Sequence, residues 1–220
     1  MSKGMTIEEA LQRFAETVRA KMSTLTPGEP EDQLRGPFEN FMGDAARALG
    51  WNVVCTGETK LPGRLGKPDY AVHLNKLLAG YVELKAPGVG ANPGRFGGHN
   101  LEQWKRFRAV PNLLYCDGND WGLYRDGKPE GKIVRLSGDI AAEGRKAIGP
   151  EDTHAVERLL RDFLLWRPII PTDRKGKVEL KGFATLLAPL CRMLRDDVTD
   201  ALQDPKSPLV QLAKDWRQLL

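Results

Sequence analysis

Residues 68–86, PDYAVHLNKLLAGYVELKA, constrain this chain more than any other stretch. Two apolar runs rich in β-branched and aromatic residues flank the short connection NKLL, the pattern of an antiparallel hairpin. Both runs carry charges that a buried strand disfavours: Asp69 opens the first, and Glu83 and Lys85 bracket Leu84 in the second. Side chains alternate faces along a strand, so Tyr81, Glu83 and Lys85 share one face, while Val82 and Leu84 form the buried one. A hairpin through residues 75–79 brings Asp69 near residues 83–85, so that two carboxylates and an ammonium converge. A cross-strand ion pair on a solvated face is the plain reading of such a D…E-x-K pattern. The apolar neighbours of Asp69 and Glu83 weigh against it, because burying like charges is costly unless a cation holds them.

The flanking sequence predicts the layers around this hairpin. Thr6-Ile7-Glu8-Glu9 reads as a capping box, followed by Ile7, Leu11, Phe14, Val18 and Met22 at helical spacing. Pro30 suits the first position of a second helix, with Glu31 and Asp32 in its first turn. Leu34, Phe38, Phe41, Ala45 and Leu49 form its stripe, Gly50 is its C-terminal cap, and Gly36-Pro37 should kink it or delay its start. WNVVCTGE (51–58) reads as a strand before the hairpin. The Gly- and Pro-rich segment 88–100 reads as a loop, LEQWKRFRAV (101–110) as a helix, and NLLYC, WGLYRDG and KIVRL as strands. From residue 151 the pattern turns helical: AVERLLRDFLLW, then residues 183–203, then SPLVQLAKDWRQLL. The expected fold is α/β, a mixed central sheet flanked by helices. Residues 1–150 would form the core and 151–220 a helical extension or a linker to a further domain.

Hard oxygen ligands such as Asp69 and Glu83 favour Mg²⁺, with Mn²⁺ as a substitute, over zinc. A divalent ion so held can activate water against a phosphodiester, and a nearby lysine can stabilise the developing charge. The net charge of +4 suits a polyanionic partner without demanding one. Arg95, Lys105 and Arg106, with Lys60, Arg64, Lys67, His99 and Arg108 around them, are candidates for a phosphate-binding rim. His73, His154, Trp104, Trp121 and Trp166 read as packing or surface residues. The three cysteines are far apart and form no C-x-x-C, which argues for a reduced setting over a disulfide framework or a zinc site. There is no P-loop signature, no apolar run long enough to span a membrane and no signal-peptide pattern, so the expected location is cytoplasmic.

Pro68-Asp69 followed by Glu83-Leu84-Lys85 resembles the motif of the PD-(D/E)xK nuclease superfamily. Segment 30–51 resembles the acidic helix that precedes the motif in many members, with Glu31 as the acid and Glu39 as the alternative. Segment 99–127 is similar to the continuation seen in amino-terminal nuclease domains of large restriction–modification enzymes. Gln103 matches the glutamine of a Q-x-x-x-Y motif there, and Phe107 stands in place of its tyrosine. The resemblance covers roughly residues 27–136. It implies a restriction-endonuclease-like core and a Mg²⁺-dependent DNA endonuclease of a restriction–modification or phage-defence enzyme. The metal ligands implied are Glu31, Asp69, Glu83 and the Leu84 carbonyl. Lys85 would be the catalytic lysine, and Gln103 would help to position it or the DNA. Double-stranded DNA is the implied partner. No sequence-reading domain is evident, so recognition, methylation or translocation would come from further domains or subunits. The rival reading is a non-catalytic DNA-binding or assembly module that keeps the nuclease fold.

Overall fold

The computed structural model describes residues 4–24, 28–61 and 65–167, and in the C-terminal part residues 187, 191, 195, 198, 199, 201–203 and 205–219. The chain divides into two compact units, Met1–Lys60 with Leu65–Trp166, and Leu61–Arg64 with Arg167–Leu220. The first is a mixed α/β unit, compatible with a restriction-endonuclease-like core.

Helix α1 (Ile7–Met22) starts on the expected capping box: the Thr6 hydroxyl accepts from the Glu9 N–H, and the Glu9 carboxylate accepts from the Thr6 N–H. Helix α2 (Pro30–Ala48) starts on Pro30 and runs through Pro37 without a delayed start. Pro37 removes one donor from the ladder, and its ring is buried against the core. Gly50, just past the end of α2, takes φ 71°, the left-handed conformation that glycine adopts without steric cost.

Seven strands follow: β1 (Val53–Gly57), β2 (Tyr70–Leu74), β3 (Leu77–Leu84), β4 (Leu113–Cys116), β5 (Asp120–Arg125), β6 (Lys128–Pro129) and β7 (Val134–Arg135). The order is β1-β2-β3-β4-β5-β6, with β7 also on β5, and every pairing is antiparallel except β3 with β4. The β2–β3 connection is shorter than NKLL. Asn75 and Lys76 both take positive φ, 51° and 69°, as a two-residue hairpin turn requires, which leaves Leu77 and Leu78 in the strand. KIVRL contributes only Val134–Arg135 to the sheet, and β6 lies in the short segment between WGLYRDG and KIVRL.

The parallel step from β3 to β4 needs a crossover, and α3 (Gly98–Phe107) supplies it. Helix α3 begins within the glycine-rich segment that the sequence suggests is all loop. A short helix, α4 (Ile140–Glu143), follows β7, and one face of the sheet packs on α1, α2 and α5 (Pro150–Leu164), where Phe14, Phe38 and Phe41 surround the buried Trp121 ring at 5.7, 5.8 and 5.5 Å. A smaller aromatic group covers the other face: Phe96 and Trp104 against Tyr115 and Tyr124. Tyr81, Glu83 and Lys85 are therefore as buried as Val82 and Leu84, where the sequence alone suggests one buried face. Helix α5 contributes Val156, Leu160 and Phe163 to the core, and the first unit extends to Trp166. The packing thus places α5 with the sheet, although it lies beyond residue 150.

In the second unit a helix, α6 (Pro208–Leu219), occupies most of the expected SPLVQLAKDWRQLL segment. The helix expected over residues 183–203 lies largely outside the described residues. Among the described residues no helix is long and apolar enough to cross a membrane.

Candidate functional site

The β2–β3 register sets the site. Tyr70 pairs with Val82, so Asp69, one residue before β2, lies opposite Glu83. The Leu84 N–H donates to Asp69 Oδ2 at 2.7 Å, which locks the carboxylate against β3. Glu31 reaches the same place from the first turn of α2. One oxygen from each of Glu31, Asp69 and Glu83 lies within 4.8 Å of the other two. Among the described residues this is the single cluster of three such groups. Glu39, the alternative acid, is exposed and stands outside it. Leu84 contributes its N–H to the site and turns its side chain into the core.

Lys85 lies beneath these carboxylates. It is 1% exposed, and its Nζ donates to Glu83 Oε1 at 2.7 Å and stands 3.8 Å from Glu31 Oε2. Gln103, on α3, donates through Nε2 to the same Glu83 oxygen at 2.7 Å. The second Glu83 oxygen, Oε2, is buried with no hydrogen-bond partner, as is Gln103 Oε1. Burial pushes the Glu83 carboxyl up to about 7; the Asp69 charge adds to this and Lys85 opposes it. Burial also raises Asp69, against the Leu84 N–H and Arg35, and raises Glu31, against Lys85. Burial and mutual proximity thus disfavour three simultaneous negative charges here, and Lys85 offsets them only in part.

Arg35, which follows Glu31 in the acidic-helix segment, also joins the site. It lies one turn after Glu31 on α2, and its guanidinium donates to Asp69 Oδ1 at 2.7 Å and to Glu58 Oε1 at 3.2 Å. The i, i+4 spacing from Glu31 is visible in the sequence; the partner across the fold is not.

The basic candidates lie apart from the carboxylates. Arg95 is exposed in a 3₁₀ turn, Pro93–Arg95. Lys105 and Arg106 are exposed near the end of α3, and Lys105 pairs with Glu102 at 2.6 Å. Arg95 also borders an open cleft of about 970 Å³ next to the segment after β3. Asp117, Asp120, Asp139 and Glu143 line that cleft, against Arg95 and Arg135, so its balance is acidic.

The donor set fits a hard divalent cation: all-oxygen, clustered from separate elements, with a buried oxygen left over. The described architecture is a mixed α/β unit with a seven-stranded, mostly antiparallel sheet between helices. No family model matches the chain. No curated protein matches it either. Among solved structures it is similar to one titled "cryoEM structure DrdV-DNA complex", at 19% identity and TM-score 0.49. That match covers 90% of this chain, which spans only 17% of the other's length.

Proposed function

We propose that this chain is a metal-dependent DNA endonuclease domain that hydrolyses phosphodiester bonds. One observation carries the reading: Glu31, Asp69 and Glu83 converge beside a buried lysine. Glu31, Asp69 and Glu83 would hold Mg²⁺, or Mn²⁺ in its place, and the Leu84 carbonyl is proposed as a further ligand by family resemblance. Such an ion, when bound, supplies Lewis acidity toward the phosphodiester and lowers the pKa of water. The chain's own residues do the rest. Gln103 and Lys85 both donate to Glu83 Oε1 and so tether that oxygen on the site face of the sheet. The Lys85 ammonium is fixed within the site and can face charge that develops on the phosphate in the transition state. Arg35 holds Asp69 from the solvent side.

DNA as the substrate is supported by the resemblance of residues 68–85 and 99–127 to restriction-type nucleases. The exposed Arg95, Lys105 and Arg106 add to it as backbone contacts. Sequence choice, methylation or translocation would come from further domains or subunits. The test is incubation with supercoiled plasmid in Mg²⁺, Mn²⁺ or EDTA, beside Mn²⁺ titration of wild type and Asp69→Ala. We expect nicking in either metal, none in EDTA, and Mn²⁺ binding that is lost in the variant. Mn²⁺ binding indifferent to Asp69→Ala would overturn the assignment, and a chain that binds DNA with no use for metal would be the non-catalytic module.

A further inference from the structure

Tyr115 on β4 pairs in parallel register with Glu83 on β3, so both side chains rise from the same face of the sheet. The Tyr115 ring is boxed by Phe96, Trp104 and Tyr124, with centroids at 5.3, 6.0 and 5.9 Å. In the same box the Tyr124 hydroxyl donates to the Ala91 carbonyl at 2.8 Å. The Tyr115 hydroxyl is buried and has no partner. Two other buried oxygens share that state, and both belong to residues bonded to each other on this face: Glu83 Oε2 and Gln103 Oε1. Burial first, and then the nearby Glu83 charge, raise the Tyr115 phenol above its ordinary value, consistent with the hydroxyl lying toward the carboxylate. A buried tyrosine hydroxyl ordinarily finds a partner, and three orphaned polar atoms from adjoining side chains need a common explanation.

One donor and two acceptors are the complement of a water molecule, which accepts from the phenol and donates to both oxygens. We propose that Tyr115 is a positioning residue whose hydroxyl, with Gln103 Oε1 and Glu83 Oε2, seats one ordered water that fixes the free oxygen of Glu83. The functional weight of this seat rests on the reading of Glu83 as a metal-holding carboxylate. Tyr115 itself touches neither metal nor substrate. It limits the rotation of Glu83 about its terminal bond, which the hydrogen bonds to Oε1 alone leave free to swing.

The first test is a high-resolution crystal structure of the full chain. It should show one solvent peak within about 3.2 Å of all three atoms. A dry pocket, or a Tyr115 hydroxyl bonded to some other group, overturns the proposal. The second is Tyr115→Phe, which keeps the ring and its aromatic box. Mn²⁺ affinity, read by titration calorimetry on folded protein, should fall about fivefold, the scale of one hydrogen bond, with the peak gone. A packing role alone would lower the melting temperature and leave the affinity unchanged, and that result also overturns the proposal. If Tyr115→Phe fails to fold, the wild-type density decides. If wild type binds no Mn²⁺ while the peak is present, the metal reading fails and the water seat stands. If wild type binds Mn²⁺ through Glu83 and Tyr115→Phe binds it equally well, the seat has no positioning role and the metal reading stands.

Discussion

A lysine at 1% exposure is rare unless its charge is paired, and Lys85 is paired twice, closely with Glu83 and more loosely with Glu31. An ammonium cannot ligate a cation, so its loss should slow the chemistry while leaving the ligands in place. Lys85→Ala should cut plasmid nicking by about a hundredfold or more while Mn²⁺ still titrates. Arginine should not restore the rate, because its planar fork cannot take the place of a compact ammonium. Nicking by Lys85→Ala at the wild-type rate would sink the assignment. Glu83 adds a pH dependence. Its folded pKa of about 7 lies above the ordinary 4.5, so between those values the folded chain holds a proton that the unfolded chain has lost. Its contribution to stability is full below about pH 4.5 and is lost as pH rises through 7. A cation must displace that same proton, so Mn²⁺ affinity should climb over this interval. Glu83→Gln should flatten the change in metal-free stability, followed by urea melts from pH 4.5 to 8; an unchanged slope would mean that another group titrates there.

Strands β3 and β4, which position Glu83 and Tyr115, are tied to α5 behind them. Asn112, just before β4, donates through Nδ2 to the carbonyls of Ala79 and Phe163 and so joins β3 to α5. A Cβ on Gly80 would come within 2.7 Å of the Asn112 carbonyl oxygen and of Phe163. Asn112→Ala strands two carbonyls and should cost about 2 kcal/mol or more of stability. Because the lesion is remote from the carboxylates, Mn²⁺ affinity of the folded protein should hold; a fall in affinity equal to that of Asp69→Ala would contradict the separation of scaffold from site. The hairpin itself was legible in the sequence, since two-residue alternation and the position of Asp69 follow from local pattern. So were both amino-terminal helices, through Thr6-x-x-Glu9 and Pro30. The burial of Glu83 was legible in part, from its apolar neighbours; its completeness, and that of Lys85, was not, because α3 covers that face only after the crossover has formed. Tyr115 opposite Glu83 and Arg35 on Asp69 were hidden for the same reason: register between distant segments leaves no periodic trace. Helix α5 carries an ordinary amphipathic stripe, which does not say whether its apolar face meets the sheet or a further domain.

At the scale of the whole molecule, the question is where a polyanion could lie. The net charge is only +4, and acidic groups hold both the carboxylate site and the cleft lined by Asp117, Asp120, Asp139 and Glu143. Neither attracts a phosphate backbone without a cation, so sequence-independent affinity must come from exposed basic side chains at their rims or beyond them. Arg95 and the Lys105-Arg106 pair lie on and just before the helix that covers the site face of the sheet. The Lys105–Glu102 contact is exposed and too weak to hold Lys105 from a phosphate. Each phosphate contact releases counterions and lowers the slope of log K against log salt by roughly 0.9 for duplex DNA. Replacing Arg95, Lys105 and Arg106 by glutamine should therefore weaken binding to unrelated duplexes to the same extent. It should also flatten the salt slope by roughly 0.9 for each contact removed. Fluorescence anisotropy across a salt series, in EDTA so that no DNA is cut, measures both quantities on the same samples. Loss of affinity for one duplex and not another would make these residues base readers. An unchanged slope would leave them an ordinary solvated face, and the backbone contacts would have to be sought on another surface.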